Sequence, residues 1–151
     1  EYSKAGEFIY DFPFLWGSKR TGPDVHRIGG KYNDNWHFNH MLDPRSTSPG
    51  SIMPRYSWLI KNDMNASNLE SKMNALVTLG VPYTAEEIAG AKQALLTQAK
   101  EVENNLRQDP EYVKNYGSSN IQNKEIVALI AYLQRLGTDI KANAPTALKN
   151  N

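Results

Sequence analysis

Gly50-Ser51-Ile52-Met53-Pro54-Arg55-Tyr56-Ser57-Trp58-Leu59-Ile60 decides how the rest of this chain is understood. Pro54 fixes its own φ and turns Met53 away from the helical region. The thioether is therefore expected on a stiff, extended loop. Tyr56, Trp58, Leu59 and Ile60 follow at once and can build an apolar wall. A braced thioether beside aromatic residues is what an axial ligand to haem iron requires. The competing interpretation is a methionine that fills a gap in the core.

The bulk properties bound the function. A chain of 151 residues is long enough for one domain with a real core. A formal charge of +1 with 22% charged residues leaves no basic footprint for nucleic acid. No apolar run is long enough to cross a bilayer, and no signal peptide is read in it. The chain opens at Glu1 without a methionine and is expected to be part of a longer protein. It contains no cysteine, which removes disulfides, thiolate metal sites and cysteine nucleophiles.

Upstream of Met53, Phe8, Ile9, Tyr10, Phe12, Phe14, Leu15 and Trp16 form an apolar cluster interrupted by Pro13 and Gly17. An irregular segment with a helical turn near its start is expected. Arg20-Thr21-Gly22-Pro23-Asp24-Val25-His26 leads into Gly29-Gly30-Lys31. The glycines permit positive φ, and Pro23 offers a carbonyl but no N–H. A compact loop around that carbonyl follows. Its glycine spacing fits neither a dinucleotide nor a phosphate loop. Residues 33–42 are expected to form a short helix capped by Asn33 or Asp34 and ended by Asp43-Pro44. His37 and His40 share a face of it. They make a copper or zinc site conceivable, but no third ligand is visible at helical spacing. Partly exposed histidines with local hydrogen bonds are the expectation. Arg45 to Gly50 is taken as a loop.

Beyond Lys61 the pattern is helical. Ser67-Asn68-Leu69-Glu70 has the form of a capping box. Leu69, Met73, Leu76 and Val77 then share one face, and Gly80 and Pro82 end the helix. Thr84-Ala85-Glu86-Glu87 is a second box. It opens a helix striped by Ile88, Ala91, Leu95, Ala99, Val102 and Leu106, about 35 Å long at 1.5 Å per residue. Asp109-Pro110 closes it, and Tyr112 to Gln122 is taken as a loop. A last helix over 123–136 presents Ile126, Val127, Ile130, Leu133 and Leu136, with Gly137 as its cap. No strand, repeat or catalytic constellation emerges. Residues 138–151 lack periodicity and are expected to be disordered.

Several stretches carry a resemblance to class I cytochromes c. The Gly22-Pro23 loop is similar to the family's proline loop, Ile52-Met53-Pro54 to its methionine-ligand loop, and Glu125 to Leu133 to its C-terminal helix. More narrowly, Trp16-Gly17-Ser18-Lys19-Arg20-Thr21-Gly22-Pro23 resembles the mono-haem cytochrome c subunit, subunit II, of cbb3-type cytochrome c oxidases. So do Ser51 to Leu59 and Ala131-Tyr132-Leu133-Gln134-Arg135-Leu136-Gly137-Thr138-Asp139. The Trp36-His37 helix and Thr78-Leu79-Gly80-Val81-Pro82-Tyr83 join the match, which covers nearly the whole chain.

This resemblance implies an all-α, class I cytochrome c-like domain over residues 1–137. It would be incomplete at its N-terminus and carry a helical insertion at about 61–120 before the C-terminal helix. It implies electron transfer through a haem c to the catalytic, oxygen-reducing subunit, with no catalysis by this chain alone. Met53 would be the axial ligand, and the Pro23 carbonyl would accept a hydrogen bond from the other axial ligand, a histidine. Trp58 would wall the pocket, and Arg20 is the candidate partner, on charge alone, for a haem propionate. The implied partners are catalytic subunit I and the multi-haem cytochrome c subunit. The implied location is the periplasmic side of the bacterial inner membrane, with an N-terminal membrane helix that this sequence lacks.

One departure is plain. Covalent haem attachment needs Cys-x-x-Cys-His, and none of His26, His37 or His40 matches its histidine. The chain is therefore expected to be a C-terminal fragment that keeps the methionine side of the pocket. Its last helix would lose its usual N-terminal partner and is expected to pack on the inserted helix or on a second copy of the chain. The alternatives are a haem-free scaffold domain that packs on other oxidase subunits, and a soluble histidine-based metal-binding protein. A purified chain of this sequence is expected to give no pyridine haemochrome signal, because it has no thiol to bond. A haem band that survives acid extraction would contradict this.

Overall fold

The structure, a computed structural model, describes residues 9–10 and 22–138. Most of the apolar cluster before Gly17, together with Arg20 and the tail from residue 139 onward, lies outside the described residues. Among the described residues there are six α-helices, one 3-10 turn over Ser57–Ile60 and no strand. The all-α expectation therefore holds. The chain divides into two compact units, Glu1–Asp24 with Asn65–Leu95, and Val25–Met64 with Leu96–Asn151.

In the first unit, α3 (Leu69–Thr78) half-buries Leu69, Met73 and Leu76, while Val77 is exposed. Val77 thus leaves the face that the periodicity assigned to it. The helix ends as its glycine predicts. Gly80 takes φ +95, its N–H donates to the Val77 carbonyl at 2.9 Å, and the Val81 N–H donates to the Leu76 carbonyl at 3.0 Å. These two bonds satisfy carbonyls that the helix itself cannot. The Ser67 box does not form. Ser67 Oγ donates instead to Asn65 Oδ1 at 2.6 Å, and Asn68 occupies the cap position without a side-chain bond. The Thr84 box forms in full before α4 (Ala85–Leu106). Glu87 Oε2 accepts from the Thr84 N–H at 2.8 Å, and the Glu87 N–H donates to Thr84 Oγ1 at 3.2 Å.

The second unit holds the core. Asn33 caps α1 (Asp34–Leu42) by accepting from the Trp36 N–H at 2.8 Å. Asp43 and Pro44 end it, as read, but they also begin α2 (Pro44–Thr47), which replaces the start of the expected loop. The same pair recurs at Asp109-Pro110. Asp109 Oδ1 accepts from the Glu111 N–H at 2.8 Å and Pro110 opens α5 (Pro110–Tyr116). The expected loop over 112–122 is thus helical in its first half. Proline suits the first helical position, where no N–H is needed, so one dipeptide stops one helix and starts another.

Burial explains why α5 forms. Tyr112 is 4% exposed, and both Tyr112 and Tyr116 set their rings 5.3 Å from Phe38. Phe38 joins Ala99, Val102, Leu106, Ile121, Ile126, Val127 and Ile130 in one buried cluster. The apolar face of α6 (Glu125–Arg135) is therefore covered by α1 and by the second half of the long inserted helix, one of the two expected outcomes. At the end of α6, Gly137 has φ +77, and a Cβ there would sit 2.7 Å from the His26 carbonyl oxygen. A Cβ on Gly29 would sit 2.4 Å from the Gln134 carbonyl oxygen. The loop before α1 thus lies directly on the end of α6.

Ile130 is fully buried, so Ile130→Ala is expected to lower unfolding free energy by about 2–5 kcal/mol in urea titrations. Tyr132→Ala, at a residue 58% exposed on the same helix, is expected to change it by no more than about 0.5 kcal/mol. Equal losses would place the core elsewhere.

Candidate functional site

The Met53 loop is tied at its start to Ser48, just past α2, and at its far end to Met41 of α1 and to Asp43 between the two helices. At the start, Gly50 turns the chain with φ +81, and the Ser51 N–H donates to the Ser48 carbonyl at 3.1 Å. Ser51 Oγ then accepts from the Met53 N–H at 3.2 Å. At the far end, the Tyr56 N–H donates to the Met41 carbonyl at 2.8 Å. Arg55 reaches Asp43, the last residue before α2, with Nη2 to Oδ2 at 2.7 Å. Both partners of that ion pair are exposed, so it orients the loop more than it stabilises it. Leu59 and Ile60 of the 3-10 turn pack on the core.

The side chains of this stretch differ in exposure. Ile52 is 97% exposed and Trp58 48% exposed, with the Trp58 ring edge-on to Tyr56 at 5.1 Å. Met53 is half-buried. Met41 and Met64 pack against the core cluster. Met73 lies half-buried on α3. Pro23 is exposed beside Gly22, which has φ +104. Pro23 belongs to the first unit and Met53 and Trp58 to the second.

The histidines divide. His40 behaves as expected: it is partly buried, and its Nδ1 lies 2.6 Å from Thr47 Oγ1. Its ring stacks on Trp36 at 4.4 Å, and Trp36 stacks on Tyr32 at 3.9 Å. His37 departs from expectation. It is 2% exposed, lies edge-on to Tyr32 and Trp36, and its Nε2 has no hydrogen-bond partner among the described residues. Burial lowers its pKa; the nearby Asp34 charge opposes that shift and His40 adds to it. The pKa of His40 is lowered by burial as well. No group of three or more His, Cys, Asp or Glu side chains converges among the described residues.

A separate cleft of about 380 Å³ opens between the loop before α1 and the ends of α4 and α6. Its floor includes Asp34, 6% exposed, whose carboxylate accepts from Asn105 Nδ2 at 2.8 Å and Gln134 Nε2 at 2.6 Å. Gln134 Nε2 also donates to the Tyr32 carbonyl at 2.9 Å, and Gln134 Oε1 accepts from the Gly30 N–H at 3.0 Å. No local pattern announces this network, which joins residues 71 to 104 positions apart. The cleft is lined mostly by polar residues and includes neither Met53, Trp58 nor Pro23.

By its chemistry a thioether such as that of Met53 could ligate haem iron; Met53 is half-buried, and Ile52 and Trp58 of the same stretch are exposed. The attachment chemistry is missing, because the sequence has no cysteine. A helical chain with a braced methionine loop fits the cytochrome c-like class. A family model described as "Cytochrome C oxidase, mono-heme subunit/FixO" matches residues 1–140, and the chain belongs to this family. It is thereby a mono-haem subunit type of cytochrome c oxidase, an oxidoreductase complex, and membership implies a haem c in the complete subunit and association with other oxidase subunits. A search of curated proteins finds no match.

The buried imidazole makes stability pH-dependent. The folded pKa of His37 lies below its ordinary value of about 6.5, so the unfolded chain binds more protons in acid. Stability is expected to be full above about pH 6.5 and to fall as pH drops through the folded pKa. His37→Phe should flatten this acid-side slope in urea titrations run at several pH values. An unchanged slope would assign it to other groups.

Proposed function

We propose that this chain supplies the methionine side of the haem pocket in an electron-relaying subunit of a cbb3-type oxidase. One observation carries the reading: half-buried Met53 lies on a loop held at its start by Ser48 and at its far end by Met41 and Asp43, in a stretch where Ile52 and Trp58 are exposed. A bound haem c supplies reversible one-electron transfer. The chain's own residues do the rest. Met53 would hold the iron through its sulfur, and thioether ligation would raise the potential. The Pro23 carbonyl would accept from the ring N–H of an iron-ligating histidine and orient that ring. Trp58 and Ile52 would keep water from the haem, and Arg20 is the candidate partner, on charge alone, for a propionate. The attachment cysteines are not among this chain's residues.

In this reading the chain does not reduce oxygen. It passes electrons on to catalytic subunit I and works beside the multi-haem cytochrome c subunit, on the periplasmic side of the inner membrane. Membership of the mono-haem subunit family supports a relay.

Met53→Ala in the full-length subunit should leave haem attached, because thioether bonds do not depend on the sixth ligand. It should abolish the weak near-infrared sulfur-to-iron band and lower the reduction potential. Met41→Ala, which alters a side chain packed on the core, should leave both intact. An unchanged band and potential in the Met53 variant would show that the ligand lies elsewhere.

A further inference from the structure

We infer that Asn65 is an acceptor for N-linked glycosylation. Asn65-Ala66-Ser67 is the only Asn-x-Ser/Thr triplet in the sequence, and its middle residue is not proline. An acid, Asp63, stands two residues before the asparagine and completes the extended acceptor pattern used in bacterial oligosaccharyl transfer. The inference rests on the periplasmic reading above, since that is where such transfer takes place.

The local structure presents the acceptor. Asn65 is exposed, in a stretch with no regular secondary structure, and Ser67 is exposed as well. The chain just upstream is anchored: the Met64 N–H donates to the Asn123 carbonyl at 2.8 Å, and its side chain packs on the core. Asn65 is the first residue beyond that anchor. Its carboxamide is already polarised by the triplet. Asn65 Oδ1 accepts from Ser67 Oγ at 2.6 Å and from the Ser67 N–H at 3.2 Å. Both bonds fall on the oxygen and leave Nδ2 directed to neither. They serve no helix either, since α3 begins at Leu69 and Ser67 does not cap it. A serine that could have capped a helix instead holds the amide of the residue two before it.

Asp63 pairs with Lys124 Nζ at 2.7 Å, but its side chain is 63% exposed. An exposed pair of this kind is weak, so a transferase can engage the carboxylate. In the transfer, Nδ2 attacks the anomeric carbon of a glycan carried on a polyprenyl diphosphate. The C–N bond forms, the bond from the anomeric carbon to the phosphate oxygen breaks, and polyprenyl diphosphate leaves. The amide loses one proton to a base on the transferase. No oxidant or reductant is needed.

The test uses the folded full-length subunit, a purified bacterial oligosaccharyltransferase and its lipid-linked glycan, with a known acceptor protein in the same reaction. Tryptic cleavage after Lys61 and Lys72 isolates residues 62–72, which contain the single triplet. Mass spectrometry should find one glycan on that peptide. Asn65→Gln and Ser67→Ala should abolish it, and Asp63→Ala should reduce occupancy at least tenfold. An unmodified peptide beside a modified control acceptor would overturn the proposal, as would modification that persists in Ser67→Ala. Because this assay runs outside the cell, it does not depend on compartment. An alkaline phosphatase fusion to the full-length subunit tests the periplasmic reading separately, through activity only in that compartment.

Discussion

Everything that positions the methionine loop depends on α1 being held against α6. Phe38 on α1 is buried in one cluster with Ile126, Val127 and Ile130. Each of these residues is nearly or wholly removed from water, and burial of such side chains is the main favourable term in folding. The polar counterpart lies one turn away, where the buried Asp34 carboxylate receives amide hydrogens from Asn105 and Gln134. A buried carboxylate without such donors would be costly. The apolar contact thus fixes the distance between the helices, and the hydrogen bonds fix their register. Met41 and Asp43, which hold the far end of the Met53 loop, inherit that placement.

The parts of this architecture that are local in the chain were legible. Asn33, Thr84 and Gly80 each act within four or five residues of themselves, and each does what its chemistry suggests. The Met53 loop was legible for the same reason, since Pro54 constrains its immediate neighbour. Where local chemistry offered two outcomes, the sequence could not choose. Ser67 can cap a helix or bond back to Asn65, and both lie within reach. Asp43-Pro44 and Asp109-Pro110 can end a helix, start one, or do both. The polar run after Pro110 concealed Tyr112 and Tyr116, whose burial depends on Phe38, more than seventy residues earlier.

At the candidate site, only the irregular course of the Met53 loop was legible in the sequence. The burial of His37 comes from the enclosing Tyr32 and Trp36 rings and from the core, not from its spacing to His40. The Asp34–Gln134 bond joins residues a hundred positions apart, and no periodicity announces it. Family membership adds what neither the pattern nor the geometry carries, the identity of the haem-bearing complex to which the chain contributes.

The crossing of the loop before α1 over the end of α6 has a dynamic consequence. Gly29 and Gly30 each donate an amide hydrogen to α6 or the residue just past it, one to the Leu136 carbonyl at 3.0 Å and one to Gln134 Oε1 at 3.0 Å. Neither amide lies in a helix, so opening either bond requires no unwinding. Hydrogen exchange at these two glycines reads the lifting of the loop from the helix end, separately from the global unfolding that frees the amides of Ile126 and Ile130. Loosening this clasp frees one end of Gln134, whose other end holds the Asp34 carboxylate.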